Sequence, residues 1–196
     1  ELPAWDGRDR LTALALRVSC RPLWVQGFHT WMLGLASQWM DQSVLHANSV
    51  APILVSREQG RRKSTFCRSL MPDVLMRYYT DNLKLTSQGQ AERLLAEMGL
   101  LNMDEFDKYA ENKMPLLKNL MQMSALNIRK AYQQNFRQLP RVASFIGTSN
   151  RFDLLTDPTG SRRFLCVEVK HDIDCTHIEH DQIFAQLKAE LSAGRR

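Results

Sequence analysis

Ile53-Leu54-Val55-Ser56-Arg57-Glu58-Gln59-Gly60-Arg61-Arg62-Lys63-Ser64-Thr65 is the stretch on which the fold turns. Its first three residues form a short apolar run, the pattern of a parallel strand buried on both faces. A polar, glycine-bearing loop follows, and a helix is predicted from Lys63 to Leu70. Strand, loop and helix in this order are the setting of a phosphate-binding loop, because successive backbone N–H groups at a helix start favour an anion. The lysine of such a loop reaches the β- and γ-phosphates, and the hydroxyl after it holds Mg²⁺. The pattern G-x-x-x-x-G-K-[ST] is met in part: Gly60, Lys63 and Ser64 are present, but Arg57 and Arg62 stand where the two glycines belong. The bland alternative is a basic loop before a helix.

Outward from this stretch, strands and helices alternate. Leu75 to Thr80 suits a strand, and Ala91 to Met98 a helix with Leu94, Leu95 and Met98 on one face. Leu100 to Met103 reads as a strand. Lys113 to Met123 reads as a helix with Asn112 as its cap. Val142 to Ile146 and Arg163 to Val169 are further strands, and Ile178 to Leu191 is an amphipathic helix with Ile183, Phe184, Leu187 and Leu191 inward. This alternation predicts an α/β sandwich with a mainly parallel sheet. Upstream, Asp9 is placed to cap a helix through Leu11, Leu14, Leu16 and Val18. After the interruption at Pro22, a stripe of Phe28, Trp31, Met32, Leu35, Trp39 and Met40 predicts buried core. The organisation expected is an N-terminal helical segment over 1–50, an α/β core over 51–170, and a C-terminal helix over 171–196. Glu1 in place of Met, and Arg195-Arg196 directly after a helical pattern, predict a piece of a longer protein with that helix truncated.

Ligands of parallel sheets bind at the carboxyl ends of the strands; two more polar groups fall at such ends, and an arginine-bearing turn precedes a further strand. Leu100-Leu101-Asn102-Met103 runs into Asp104-Glu105, the arrangement of a Walker B pair. Asp104 would bind Mg²⁺ and Glu105 would polarise an attacking water; an acidic loop with Asp107 and Glu111 is the alternative. Ser144 to Asn150 ends in an amide suited to orient a lytic water, or else a turn asparagine. Asp157-Pro158-Thr159-Gly160 signals a turn that presents Arg162 and Arg163. Such a turn-borne arginine can neutralise transition-state charge on a neighbouring subunit's γ-phosphate. Lysine, acidic pair, asparagine and arginine stand in the order found in ring ATPases, and the order strengthens signals that are weak one by one.

Composition constrains the class without naming it. The 196 residues are 44% hydrophobic and 24% charged, a globular balance. A net charge of +5 fits a polyanionic partner without requiring one. Cys20, Cys67, Cys166 and Cys175 show no metal-site spacing, which predicts reduced thiols in a cytoplasmic protein. No apolar stretch has the length of a membrane span. His29 and His46 stand alone. His171, His177 and His180, among several acidic residues, read as a solvated tail rather than a metal site.

The motifs together resemble the virulence-associated protein E family of phages, plasmids and genomic islands. The resemblance lies in Gln59-Gly60-x-x-Lys63-Ser64-Thr65-Phe66, Asn102-Met103-Asp104-Glu105-Phe106, Ser144 to Asn150, Asp157 to Phe164, and the opening Trp5-Asp6-Gly7-x-x-Arg10-Leu11. That family is similar to superfamily three helicases, which form AAA+-like rings and often accompany a primase. The resemblance implies a P-loop NTPase fold and an ATP-dependent, helicase-like ATPase core in a mobile-element replication protein. It implies ATP and Mg²⁺ as cofactors, single- or double-stranded DNA and a primase domain or protein as partners, and a homo-oligomeric ring. It carries nucleotide binding onto Gln59, Gly60, Arg61, Arg62, Lys63, Ser64 and Thr65, and metal binding onto Ser64 and Asp104. Catalytic roles fall on Glu105, Asn150 and Arg162 or Arg163. Superfamily three helicases also hold a DNA-contacting hairpin between the acidic pair and the asparagine strand. The run Asn127 to Tyr132 lies there, which implies phosphate contacts by Arg129 and Lys130, with Arg137 and Arg141 close behind. Arg57 and Arg62 keep two alternatives open: a nucleotide-binding scaffold without turnover, and a nucleic-acid-binding module.

Overall fold

The structure, a computed structural model, describes residues 1–40, 47–85, 88–109, 111–129, 136–155 and 162–195. Its centre is a five-stranded sheet of β1 (Ala51–Val55), β2 (Tyr79–Thr80), β3 (Leu100–Met103), β6 (Ser144–Ser149) and β7 (Phe164–Glu168), in the order β2-β3-β6-β1-β7. Every neighbouring pair is parallel. β6 therefore lies between β1 and β3, with Val55 opposite Ser149 and Met103 opposite Gly147. The loops that follow β1, β3 and β6 leave the same edge side by side. Parallel strands require crossovers, and the helices supply them: α3 (Lys63–Ser69), α4 (Gln88–Glu97) and α5 (Met114–Gln122).

Both faces of the sheet are covered, so the central strands are buried along their whole length. Side chains alternate between faces with period two. Leu54, Leu100, Ile146 and Val167 point into a core shared with α1 (Arg10–Leu16), α2 (Pro22–Met40), α3 and α6 (His180–Ser192). Ile53, Val55, Leu101, Met103 and Phe145 point into the opposite core, against Ala91, Leu95, Leu117, Leu120 and Met121 of α4 and α5. The result is three layers, with helices on each face of a parallel sheet. Asp9 caps α1 by accepting from Thr12 N at 3.0 Å, and Pro22 occupies the first position of α2, where its missing N–H costs nothing.

Several expectations are corrected. The strand predicted over Leu75–Thr80 is a 3-10 turn at Asp73–Tyr78, followed by a two-residue strand at the sheet edge. Pro72 starts that turn and Val74 is 85% exposed, so the apolar spacing reflects one turn lying on the surface. Asn112 does not cap α5. It sits within a 3-10 turn, Glu111–Lys113, that runs directly into the helix, and Lys113 takes the cap position with Pro115 in the first turn. His29 does not stand alone: its Nε2 meets Glu190 Oε2 of α6 at 2.6 Å in a buried pair.

Arg141 is no part of a basic surface. It is 2% exposed and donates to the carbonyls of Ala143 (2.7 Å), Met121 (2.6 Å) and Asn48 (3.0 Å). Longer bonds reach Leu120 and Met123, so the guanidinium caps the carboxyl end of α5. Burial pushes its pKa down to about 9.

Between α5 and β6, β4 (Ala125–Arg129) and β5 (Phe136–Pro140) pair antiparallel, with Arg129 opposite Phe136. Lys130 lies outside the described residues, as do the side chains of Arg129 and Arg137. His46 and the turn Asp157 to Ser161 also fall outside them. No helix among the described residues is long and apolar enough to cross a membrane. None of the four cysteines is in a disulfide; Cys20 is exposed and Cys67 buried.

Candidate functional site

The loops after β1, β3 and β6 meet in one cluster. Period two puts Asp104 and Thr148 on the same face as Leu100 and Ile146, the face on which α3 packs. Ser64, in the first turn of α3, donates to Asp104 Oδ1 at 2.6 Å. Thr148 Oγ1 donates to the same oxygen at 2.7 Å and accepts from Glu105 N at 3.1 Å. Lys63 is 9% exposed, and its Nζ donates to Ser56 Oγ at 2.6 Å and to Asn150 Oδ1 at 2.9 Å. Ser56 Oγ in turn donates to Glu58 O at 2.7 Å. A lysine, two serines, a threonine, an aspartate and an asparagine thus form two hydrogen-bonded groups, Lys63 with Ser56 and Asn150 and Asp104 with Ser64 and Thr148, adjacent through the Lys63–Ser64 peptide.

Burial pushes the Lys63 pKa below the ordinary lysine value of 10.5, and Asp104 and Asp107 pull it back only in part. The ammonium is therefore held where water does not fully solvate it. Asp107 accepts from Ser149 Oγ at 2.9 Å and from Asn150 N at 3.3 Å. Burial alone would raise its carboxyl, but these donors outweigh burial and hold the pKa below the ordinary 3.8.

The two arginines at glycine positions now have a geometry. Arg62 precedes α3 with φ 58°, the left-handed region that a glycine would adopt freely. For a non-glycine residue that backbone costs roughly 1–2 kcal/mol. At this position the loop carries strain in place of a glycine. Gly60, with φ 83°, meets the same requirement without strain. The Arg57 guanidinium lies over the Phe152 ring, 4.3 Å from its centroid. Arg61 pairs with Glu58 and with Asp172 at 3.0 Å. Gln59 and Thr65 are exposed. Glu105 also has positive φ, 51°, and its carboxylate pairs with Lys108 on the surface. Exposed pairs of this kind contribute at most about 1 kcal/mol and open readily.

Arg162 and Arg163 stand elsewhere. Ala51 N donates to Arg163 O at 2.7 Å, which places both arginines at the amino end of β7, one strand length from the Lys63 loop. Arg162 lines a cavity of about 750 Å³ with Gly27, Trp31 and Gly34 of α2. Neither arginine joins its own chain's cluster. Ser56, Thr148 and Asp107 do join it, although the motifs assign them nothing. Their only signal in the sequence is a position beside the motif residues.

The donor set can be tested against Mg²⁺. It offers one hydroxyl, Ser64, and one carboxylate, Asp104, both hard oxygens, with no imidazole or thiolate in either group. Mg²⁺ commonly takes only one or two carboxylates and completes its shell with water and phosphate oxygens. The residues fit that ion. A site made from protein ligands alone is not present among the described residues, where no group of three His, Cys, Asp or Glu converges.

The model of the virulence-associated protein E-like domain matches residues 1–196. This chain belongs to that family. No curated protein matches this virulence-associated protein E-like domain. Among solved structures it is similar to the apo A form of the NrS-1 C-terminal region, residues 305–718. Identity there is 18% and the TM-score 0.57, over 94% of this chain and 43% of that one. A second apo structure of the same region has 17% identity and a TM-score of 0.56, over 99% and 46%. The domain therefore spans less than half of those regions. At such identity the likeness speaks for the fold.

Proposed function

We propose that this domain is an ATP-binding, ATP-hydrolysing core of the P-loop, helicase-like kind, working on DNA within a replication protein of a mobile element. The observation that carries the reading is the junction of Ser64 with Asp104 at 2.6 Å beside that of Lys63 with Asn150 at 2.9 Å. These contacts bring a cation, a hydroxyl–carboxylate pair and an amide together at the carboxyl edge of a parallel sheet, where such folds bind ligands. Family membership and the likeness to the NrS-1 region support the setting.

In this reading Lys63 binds the phosphates, displacing its hold on Ser56 and Asn150, and Ser64 and Asp104 hold Mg²⁺. The bound ion neutralises charge on the phosphate oxygens. Thr148 keeps the Asp104 carboxylate turned toward Ser64. Glu105 leaves its exposed partner Lys108 and accepts a proton from the attacking water, which Asn150 orients. Arg162 or Arg163, far from its own site, serves the site of a neighbouring copy in a ring. Arg129 at the end of β4 and Lys130 after it contact DNA phosphates, and a primase domain or protein accompanies the motor. The setting is cytoplasmic.

The test is nucleotide turnover with single-stranded DNA, comparing the parent with Lys63→Ala and Glu105→Gln. Loss of turnover in both, with nucleotide still bound by Glu105→Gln, is expected. Equal rates in all three proteins would remove the enzymatic claim. A second reading, a nucleotide-binding scaffold without turnover, draws on the strained Arg62 backbone. It predicts binding that depends on Lys63 with no hydrolysis in any variant.

A further inference from the structure

Asp107 is not part of the lysine, acidic-pair or asparagine motifs, yet three parts of the cluster depend on its position. The left-handed backbone of Glu105, φ 51°, sends the chain into one 3-10 turn, Phe106–Lys108, and brings Asp107 against the end of β6. One oxygen, Oδ1, accepts both Ser149 Oγ at 2.9 Å and Asn150 N at 3.3 Å. Ser149 Oγ in turn accepts from Arg151 N at 3.0 Å, so the whole turn from 149 to 151 hangs on this carboxylate. The Asn150 side chain leaves that turn and accepts from Lys63 at 2.9 Å. A chain of contacts therefore runs from Asp107 through Asn150 to Lys63 and Ser56. Asn150 is exposed and follows the last residue of β6, so sheet pairing does not fix it.

We propose that Asp107 is a positioning residue that sets the angle and reach of Asn150 at the phosphate lysine. The inference rests on the reading of Asn150 and Lys63 as parts of a nucleotide site. Its alternative is a direct metal-ligand role for Asp107. Against that, Oδ1 is already occupied by two donors, whereas Ser64 meets Asp104 and not Asp107.

Two measurements on the full chain test it: amide hydrogen exchange at Asn150 and Arg151, and ATP turnover beside equilibrium binding of a fluorescent ATP analogue. Asp107→Ala removes the acceptor, while Asp107→Asn keeps an oxygen in place of Oδ1. Asp107→Ala is expected to speed exchange at Asn150 and Arg151 by about tenfold or more, the scale of one lost hydrogen bond or two. Its kcat should fall by about 10- to 100-fold with analogue affinity changed less than about threefold. Asp107→Asn should recover at least about tenfold of the turnover lost. The Asp107→Ala/Asn150→Ala pair should be no slower than Asn150→Ala alone, because the two act as one unit.

Unchanged exchange in Asp107→Ala overturns the proposal, as does a pair whose losses multiply. A rise in the Mg²⁺ concentration needed for half-maximal turnover in Asp107→Asn also overturns it, in favour of metal ligation. If the parent shows no turnover, the proposed enzymatic function fails by itself. The exchange result alone then decides whether Asp107 holds the turn.

Discussion

Gly147 lies in β6, between β1 and β3, one residue before Thr148. A methyl group added there would sit 2.9 Å from Ile53 Cδ1, 3.0 Å from Met103 O and 3.3 Å from Met103 Cβ. The isoleucine tip can rotate, but Met103 O belongs to a paired strand and moves only with β3. Overpacking of this kind costs roughly 1–3 kcal/mol. Removing a glycine from a strand returns about 0.5–1 kcal/mol of backbone entropy, so the contact wins and Gly147→Ala should lose about 1–2 kcal/mol. At ~2–4 °C per kcal/mol for a chain of this size, its Tm should fall by about 2–8 °C. The urea midpoint should fall with an unchanged slope. Gly89→Ala provides the opposite control. Gly89 lies in α4 with nothing within 4 Å of an added methyl, so alanine should stabilise by about 0.5–1 kcal/mol. Parallel thermal and urea denaturation of the three proteins reads both signs. A Gly147→Ala protein as stable as the parent would refute the close approach of β6 to β3. That approach is what brings Thr148, one residue on, beside Asp104.

Lys63→Met should abolish turnover with Tm within about 4 °C of the parent, on the order of 1 kcal/mol, because burial disfavours the ammonium but Ser56 and Asn150 lose their donor. Turnover retained in the folded variant would contradict the phosphate role. Arg141→Met strands the carbonyls of Ala143, Met121 and Asn48 without their donor. A loss of about 3 kcal/mol is expected in urea unfolding, and a loss below about 1 kcal/mol would show that the guanidinium does not cap α5. The Asp9 carboxyl would be raised by burial, but hydrogen bonds from Gln186 and Thr12 hold it below 3.8. Its contribution to stability is therefore present above the unfolded value and is lost as pH falls through the lower folded value. Asp9→Asn keeps the cap oxygen and should show a shallower loss of Tm between about pH 5 and pH 2; identical acid profiles would reject the assignment.

Much of the fold was legible along the chain because its signals are local. The apolar run Ile53-Leu54-Val55 is continuous because both its faces are covered, and Leu100 to Met103 for the same reason. The stripe of Phe28, Trp31, Met32, Leu35 and Trp39 has helical spacing because one side of α2 packs on the sheet, whereas Met40, expected in the core, is exposed where the helix ends. Elements at the surface were less legible. Leu75 to Thr80 lies at the sheet edge and Asn112 within a 3-10 turn, where little burial disciplines the pattern. Of the site, Lys63, Ser64, Asp104 and Asn150 could be found because each follows a recognisable strand. Asp107 and Ser56 could not, because a hydroxyl or a carboxylate in a loop looks the same whether it faces solvent or a partner.

By itself the sequence determined the alternation of strands and helices, most of the residues that line the core, and the order of Lys63, the acidic pair, Asn150 and the arginine pair. Hydrophobic periodicity and turn chemistry act over a few residues, and that is enough to place them. Only the tertiary structure decided that β6 inserts between β1 and β3, that Asp104 rather than Glu105 faces Ser64, and that Arg141 is buried while Arg162 and Arg163 stand at the far end of the sheet. Those facts depend on which strands pair and in which register, and pairing joins residues 40 or more positions apart whose contacts leave no periodic trace in the chain.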